Sequence, residues 1–286
     1  MLGLFMTASS TTSKYNRIIR ERLEERGVPY VLLSQGDIVV DYSSPHPLRD
    51  RGDRPLHLDC VLQRLNTGRW LPLLDIIAAL GVPVVNSPQA WRVAMNKAVQ
   101  SALFATHGIP QPKTYFTYAS PGHLSRCFQH QDTWVMKATN RDMGRYVYKV
   151  GSLEDVQEVK RSSPQMRQHT YLQSFVDTPG ERQFHIRVNV IGGKATRAGR
   201  VTAPPGEFIT NVGRGGSWEV IEGDPELFDL AEHAAAVCGM DYAGVDIMEG
   251  PDGYLVIEIN DNQGLGPETV DQIIDYLLRS YPQLEG

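Results

Sequence analysis

Three oxygen-bearing side chains near the end of the chain, Asp246, Glu258 and Asn260, are spaced to hold a metal ion together. In the apolar segment 254–260, Leu255, Ile257 and Ile259 fall on one face of an extended chain, Glu258 and Asn260 on the other. A segment this hydrophobic suits the middle of a sheet, where two polar groups need partners. Asp246 lies twelve residues before Glu258, with the turn Gly250-Pro251-Asp252-Gly253 between them. A hairpin there brings Asp246 opposite Glu258 and Asn260. Two carboxylates and a carboxamide in a poorly solvated place repel one another unless a cation sits among them. Hard oxygen donors without His or Cys favour Mg²⁺ or Mn²⁺ shared with substrate phosphates. Four basic residues complete the set. Lys137 ends the run Thr133-Trp134-Val135-Met136, so its stem is expected to be buried, and Lys97 opens a helix after Met95-Asn96. Arg187 shares the polar face of segment 181–190 with Glu181, Gln183, His185 and Asn189, opposite Phe184, Ile186, Val188 and Val190. Arg214 lies in the glycine-rich stretch Asn211–Gly216. Several cations facing a metal site imply a bound polyphosphate, whose developing charge they offset.

These residues need elements to position them. Residues 2–6 read as a strand followed by a polar loop, and Lys14 to Arg26 as a helix with Tyr15, Ile18, Ile19 and Leu23 on one face and Gly27 as its stop. Val28 to Leu33 reads as a strand, Leu71 to Leu80 as a helix and Val82 to Val85 as a strand. Strands alternating with helices mean a parallel sheet, so residues 1–86 form an α/β domain. Asn86-Ser87-Pro88 caps a helix expected to run to about His107. Beyond it the pattern is α+β. Strands are expected at 133–138, 146–150, 170–176, 184–190, 194–201 and 254–259, with helices at about 152–161 and 224–238. Short glycine turns such as Ile191-Gly192-Gly193 indicate antiparallel hairpins, and the helices are expected on one face of a long sheet.

Composition sets the outer bounds. The 286 residues are 41% hydrophobic and 21% charged, near the averages for folded globular chains. A net charge of −5 argues against a whole-protein polyanion binder while allowing a local basic cleft. The most apolar stretch, Leu71 to Val85, is interrupted by Pro72, Gly81 and Pro83 and is too short to span a bilayer. The N-terminus does not read as a signal peptide, and the expected location is cytoplasmic. Cys60, Cys127 and Cys238 are widely separated and form no Cys-x-x-Cys, so buried thiols are expected rather than a zinc site or a disulfide framework.

Taken in order, Gly81–Lys97, Gly108–Thr114, Val135–Arg145, Tyr171–Val176, His185–Lys194, Phe208–Ser217 and Ala243–Leu265 resemble the ATP-grasp superfamily in its RimK-like and LysX-like amino-acid ligase branch. The likeness is close over about 87–266 and loose before it. It implies an ATP-grasp fold: an N-terminal α/β pre-ATP-grasp domain at 1–86, a small lid-like lobe with the phosphate-covering loop at 87–176, and a C-terminal antiparallel-sheet lobe at 177–286. It implies that Lys97 and Lys137, with Gly144 and Arg145 of the covering loop, contact the nucleotide phosphates. Gln173, Ser174, Phe175 and Val176 would be the hinge that bonds adenine. Glu181, with His185 second, would reach the ribose hydroxyls. Arg187, Arg214 and Asn211 would hold the transferred phosphate. Asp246, Glu258 and Asn260 would carry two Mg²⁺ ions. The covering loop holds a single glycine, fewer than in relatives, and the hinge lacks the acidic second residue common among them.

The activity so implied is carboxylate–amine ligation through an acyl phosphate, releasing ADP and phosphate, on amino-acid or peptide substrates. The same chemistry on an acidic carrier protein's C-terminal carboxylate is the alternative, with Arg145, Lys149, Arg197 and Arg200 as a basic entrance. A non-catalytic nucleotide-binding module is the other reading, which loss of a triad member would favour; all three are present. A dinucleotide oxidoreductase fits the α/β start but lacks Gly-x-Gly-x-x-Gly after any strand. No nucleophile is needed, and no Gly-x-Ser-x-Gly occurs. Neither nucleic acid nor membrane is an expected partner. Dimers are common in this group, so a homodimer or higher oligomer is expected by resemblance.

Overall fold

The first strand, β1 (Leu2–Met6), has Leu2, Leu4 and Phe5 almost wholly buried, so both of its faces must be covered. The computed structural model describes the chain apart from residues 7–13, 35, 66–67, 130–132, 141–145, 262–265 and 286, and apart from the side chains of Met6, Lys14 and Tyr15. After β1 come α1 (Lys14–Glu25), β2 (Tyr30–Leu33), the short antiparallel pair β3 (Val39–Val40) and β4 (Leu48–Arg49), then β5 (Cys60–Arg64), α2 (Leu71–Ala79) and β6 (Val84–Val85). Strands β2-β1-β5-β6 make a parallel sheet in that order. Gly27, at φ +66°, stops α1 in a conformation that disfavours side chains. On one face Leu2 and Leu4 pack with Ile19 and Leu23 of α1; on the other Phe5 packs with Leu74 and Ile77 of α2.

Asn86 and Ser87 then join this sheet to the rest of the molecule. The fully buried Asn86 carboxamide donates to the Tyr242 carbonyl (2.8 Å) and accepts from the Asp241 and Tyr242 amides (2.8 and 3.0 Å). Ser87 caps α3 (Pro88–Ala94) by accepting from the Ala90 amide. The single helix expected to His107 is two helices, α3 and α4 (Lys97–Thr106). Asn96 separates them because its extended backbone lets its side chain accept from the Ala98 and Val99 amides, a second N-cap that restarts the helix at Lys97.

The remaining strands form two antiparallel sheets rather than one long one. The smaller has order β7-β10-β8-β9, from β7 (Thr114–Thr117), β8 (Trp134–Lys137), β9 (Val147–Val150) and β10 (Thr170–Ser174). Helix α5 (Leu153–Ser162), opened by a Ser152–Asp155 capping box, covers a core of Trp134, Met136, Val150 and Leu172. The larger sheet has order β13-β12-β11-β14-β15, from β11 (Phe184–Ile191), β12 (Lys194–Thr202), β13 (Ser217–Ile221), β14 (Tyr242–Gly250) and β15 (Gly253–Asn260). Helix α6 (Pro225–Val237) sets Ala231, Ala234 and Ala235 against Val188, Val190, Val245 and Ile247. Helix α7 (Pro267–Ser280) buries Val270, Ile273, Ile274 and Leu277 in one cluster with Leu2, Leu4, Ile19 and Leu23. Arg26–Asp275 and Arg22–Asp271 ion pairs run between α1 and α7. Among the described residues no helix is long and apolar enough to cross a membrane.

One irregularity sets the register of the site. From the turn, Gly250 pairs with Gly253, Met248 with Leu255 and Ile247 with Val256; continuing evenly would set Asp246 opposite Ile257. A bulge between Asp246 and Ile247 leaves Ile257 as the extra residue, and Asp246 pairs with Glu258. This corrects the face assignment of β15. Val256 and Ile259 enter the core, whereas Leu255 pairs with Met248 on the face that carries Asp246 and Glu258.

Candidate active site

The polar face of β11 is buried rather than solvated: His185 and Asn189 are 3% and 6% exposed. Its neighbours in register are the reason. Arg187 pairs with Asp246 on one side and Gly199 on the other, and Asp246 pairs with Glu258. Directly paired residues share a face, so Glu258, Asp246, Arg187, Gly199 and Val220 run in one row across the sheet.

Asp246 is the centre of this row, at 2% exposure. Arg187 grips it with two hydrogen bonds, Nε to Oδ1 at 2.6 Å and Nη2 to Oδ2 at 2.7 Å. The Asn260 amide donates to Oδ2 at 3.1 Å, and His185 Nε2 stands 3.5 Å from Oδ1. Burial disfavours the charge on Arg187, yet the carboxylate of Asp246 overrides it and the guanidinium is held firmly protonated. Burial also dominates at His185 and pushes its imidazole below the usual range. A neutral ring there bonds Thr210 Oγ1 through Nδ1 at 2.6 Å.

Glu258 meets Lys97 at 3.1 Å. Burial alone would raise its carboxyl, but the charges of Lys97 and Lys137 outweigh that and hold it down at about 2. Lys97 is placed by two backbone devices: Asn96 starts its helix, and its own amide donates to the Thr139 carbonyl at 3.0 Å. Lys137 donates to Gln173 Oε1 at 2.7 Å within the smaller sheet. Burial lowers its ammonium to about 8, with Glu258 resisting and Lys97 adding to the fall. The smaller sheet therefore faces the larger through charge, Lys137 toward Glu258 and Asp246, with Lys97 of α4 pairing with Glu258 between them.

The other expected site residues fall around this centre. Gln173 is 2% exposed. After it the chain leaves β10 with the Ser174 amide on the Lys113 carbonyl (2.8 Å) and the Phe175 amide on the Thr133 carbonyl (3.0 Å). The Phe175 ring carries Lys149 Nζ 4.0 Å from its centroid, and Val176 is buried. Glu181 is exposed on the connection between β10 and β11, after Gly180 at φ +104°. Asn211 and Arg214 stand on the β12–β13 connection; its turn closes with the Arg214 and Gly216 amides on the Asn211 carbonyl (3.1 and 3.0 Å). Through Thr210 that connection is tied to His185 and so to Asp246. Gly144 and Arg145 lie outside the described residues. Of the basic entrance, Lys149 is on Phe175, Arg200 is over Phe184 at 4.5 Å, and Arg197 faces Glu268 at 3.8 Å.

Sequence reasoning missed several residues that hold the site in place. Gln100 accepts from the Ile259 amide (2.9 Å) and donates to the Ile259 carbonyl (3.1 Å). Its side chain completes the outer edge of β15 beside Glu258 and Asn260, as another strand would. Nothing in a lone glutamine of a helix announces this. Met248 and Leu255 were hidden by the bulge and form an apolar floor beside the acids. Arg64, buried at the carboxyl end of β5, sends its charge toward the Tyr242 phenol, whose hydroxyl donates to the Gln63 carbonyl at 3.1 Å. A polar pair closing an apolar parallel strand was the available signal.

The donor set fits a hard divalent cation. Two carboxylates and a carboxamide converge, and turning the Asn260 amide over presents its oxygen in place of its NH₂. Among the described residues no three His, Cys, Asp or Glu side chains gather to hold a metal ion. Mg²⁺ suits such a half-site because it keeps water and phosphate oxygens as its other ligands.

Residues 94–276, which span both antiparallel sheets and the whole charge network, match the RimK-like ATP-grasp domain family. The chain belongs to that family. Over 277 residues, 94% of the chain, it is 28% identical to a probable alpha-L-glutamate ligase of Parasynechococcus marenigrum, and it spans 59% of that protein's length. It is 28% identical over 249 residues to the tetrahydromethanopterin:alpha-L-glutamate ligase of Methanococcus maripaludis, covering 85% of this chain and 84% of that one. The ATP-grasp ligase PsnB, in complex with a minimal precursor, Mg and ADP, superposes with a TM-score of 0.72 at 18% identity over 96% of each chain. The ATP-grasp fold therefore holds over 96% of the chain.

Proposed function

We propose that the chain joins a carboxylate to an amine at the expense of ATP, with ADP and phosphate as the other products. The observation that carries this reading is the row Glu258, Asp246, Arg187 facing Lys97 and Lys137: paired acids and cations that exchange partners when a nucleotide polyphosphate and its metal arrive. Asp246, Glu258 and Asn260 would hold Mg²⁺, two ions being the working number, with Mn²⁺ as a substitute; the ion withdraws charge from the phosphates it touches. Lys97 and Lys137, with Gly144 and Arg145, would bind phosphate oxygens. Adenine would lie on Met248 and Leu255, bonded by Gln173 to Val176, with Glu181 or His185 toward the ribose.

In the first step a substrate carboxylate oxygen bonds to the γ-phosphorus as the bond to the ADP oxygen breaks. Arg187, with Arg214 and Asn211, would steady the charge that spreads over the moving phosphoryl group. In the second, an amine attacks the acyl carbon, phosphate leaves with its bridging oxygen, and the amine gives up a proton. Excluding water from the acyl phosphate falls to the closing of the two sheets on each other. The names of the relatives make L-glutamate the first amine to supply. Purified chain with ATP and Mg²⁺ is assayed for phosphate release over pooled amino acids and peptides. Release that needs both a carboxylate and an amine supports the reading; ATP binding with no such release contradicts it and favours a binding module.

A further inference from the structure

Beyond Arg187 the row of the site face continues to Gly199 and Val220, and the neighbouring row runs His185, Val201, Trp218. Gly199 has no side chain because the Trp218 indole occupies its place. A Cβ on Gly199 would stand 2.1 Å from Cζ2 and 2.3 Å from Cη2 of that ring. The indole is thus seated over the backbone next to Arg187 and is still 39% exposed, with Val220 beside it at 54%. Paired Cα atoms on adjacent strands are about 5 Å apart, so the seat is about 5 Å from Arg187 and about 10 Å from Asp246 across the sheet. That is the reach of one amino-acid residue. The connection that carries Asn211 and Arg214 runs directly into β13, and Gly216 packs too closely on the Thr202 and Asn211 carbonyls for a side chain. A cationic phosphate site therefore borders an exposed apolar platform made by Trp218 and Val220.

We propose that Trp218 is a specificity-determining residue for the carboxylate substrate. The indole takes an apolar or aromatic side chain of the residue whose carboxylate is brought to Arg187. This rests on the ligase reading above. It assigns the carboxylate side of the reaction, whereas the relatives' names concern glutamate.

Hydroxylamine tests it, because it captures acyl phosphates as hydroxamates whatever the natural amine. With ATP, Mg²⁺ and hydroxylamine, the probes are N-acetylglycine, N-acetylphenylalanine and N-acetylglutamate. The wild type favours N-acetylphenylalanine. Trp218→Ala raises its KM about tenfold, leaves kcat for it and the KM values for N-acetylglycine and ATP within about twofold, and Trp218→Phe restores most of the preference. Gly199→Ala, which displaces the indole without deleting it, reproduces the KM effect. The proposal is overturned if hydroxamate forms but Trp218→Ala keeps the wild-type ranking, or if N-acetylglutamate is preferred. Hydroxamate from none of the three probes, with phosphate release still dependent on an amine and some other carboxylate, overturns this assignment alone; absence of all such release overturns the ligase reading with it.

Discussion

Lys137 should take up a proton when ATP binds. Without nucleotide, burial lowers its ammonium to about 8, and its hydrogen-bond partner is the neutral Gln173 carboxamide. A polyphosphate beside it favours the charged form and moves it back toward, or above, the ordinary value near 10.4. About half of the free protein then lacks this proton at pH 8 and about nine-tenths lacks it at pH 9, and binding restores it. Calorimetry of Mg-ATP binding in two buffers of different ionisation enthalpy reads the uptake directly. It should rise from near zero at pH 7 to about 0.5 proton at pH 8 and about 0.9 at pH 9. Lys137→Met should abolish the rise. The variant should also weaken binding roughly tenfold to a hundredfold, the range for a hydrogen bond to a charged group. Uptake that is flat from pH 7 to 9, or an unchanged affinity in Lys137→Met, would refute the assignment of this lysine to the phosphates.

Replacing either acid, Asp246→Ala or Glu258→Ala, should abolish Mg²⁺-dependent ADP release; full activity in either variant sinks the metal assignment. Asp246→Ala should also destabilise the apo protein by about 3–5 kcal/mol in a denaturant melt, because Arg187 is left charged and without its carboxylate. Gln100→Ala should cost about 2–4 kcal/mol, since it orphans both backbone groups of Ile259 at a buried edge, and a cost under 1 kcal/mol would show the edge to be solvated. Glu258 contributes a pH dependence of known sign. Its carboxyl is lowered to about 2 in the folded chain, so its contribution is present above the unfolded value near 4.5 and is lost as pH falls toward 2. Glu258→Gln should flatten that acid limb relative to wild type, measured by thermal melts from pH 5 to 2.

The convergence of Asp246, Glu258 and Asn260 was legible in the sequence because polar residues at period two in an apolar strand have few structural uses, and a twelve-residue gap with a glycine turn fits a hairpin. The fit was closer to chance than the arithmetic suggests. An even hairpin from Gly250–Gly253 sets Asp246 against Ile257, and only the bulge returns it to Glu258. The same bulge hid Met248 and Leu255, since alternation cannot reveal where a strand changes phase. Lys97 and Lys137 were legible from their neighbours: an Asn cap for one and three buried residues for the other. At Asn96 two signals competed: the cap marked a helix start at Lys97, while the apolar positions of α3 and α4 read as one helix to His107. Strand β13 escaped because its alternation is brief, Trp218 and Val220 between Ser217 and Glu219, and its residues are mostly exposed. Burial explains the thiols. Cys60 and Cys238 are pushed up to about 12, which leaves them inert at neutral pH.

The central claim is that a carboxylate is activated by direct attack on ATP, and oxygen isotope transfer tests it most directly. The chain is incubated with ATP, Mg²⁺, hydroxylamine and N-acetylphenylalanine labelled with ¹⁸O in its carboxylate, and the released phosphate is analysed by mass. Acyl-phosphate chemistry predicts that the phosphate carries one oxygen from the carboxylate in every turnover. Hydroxamate accompanied by unlabelled phosphate would contradict it.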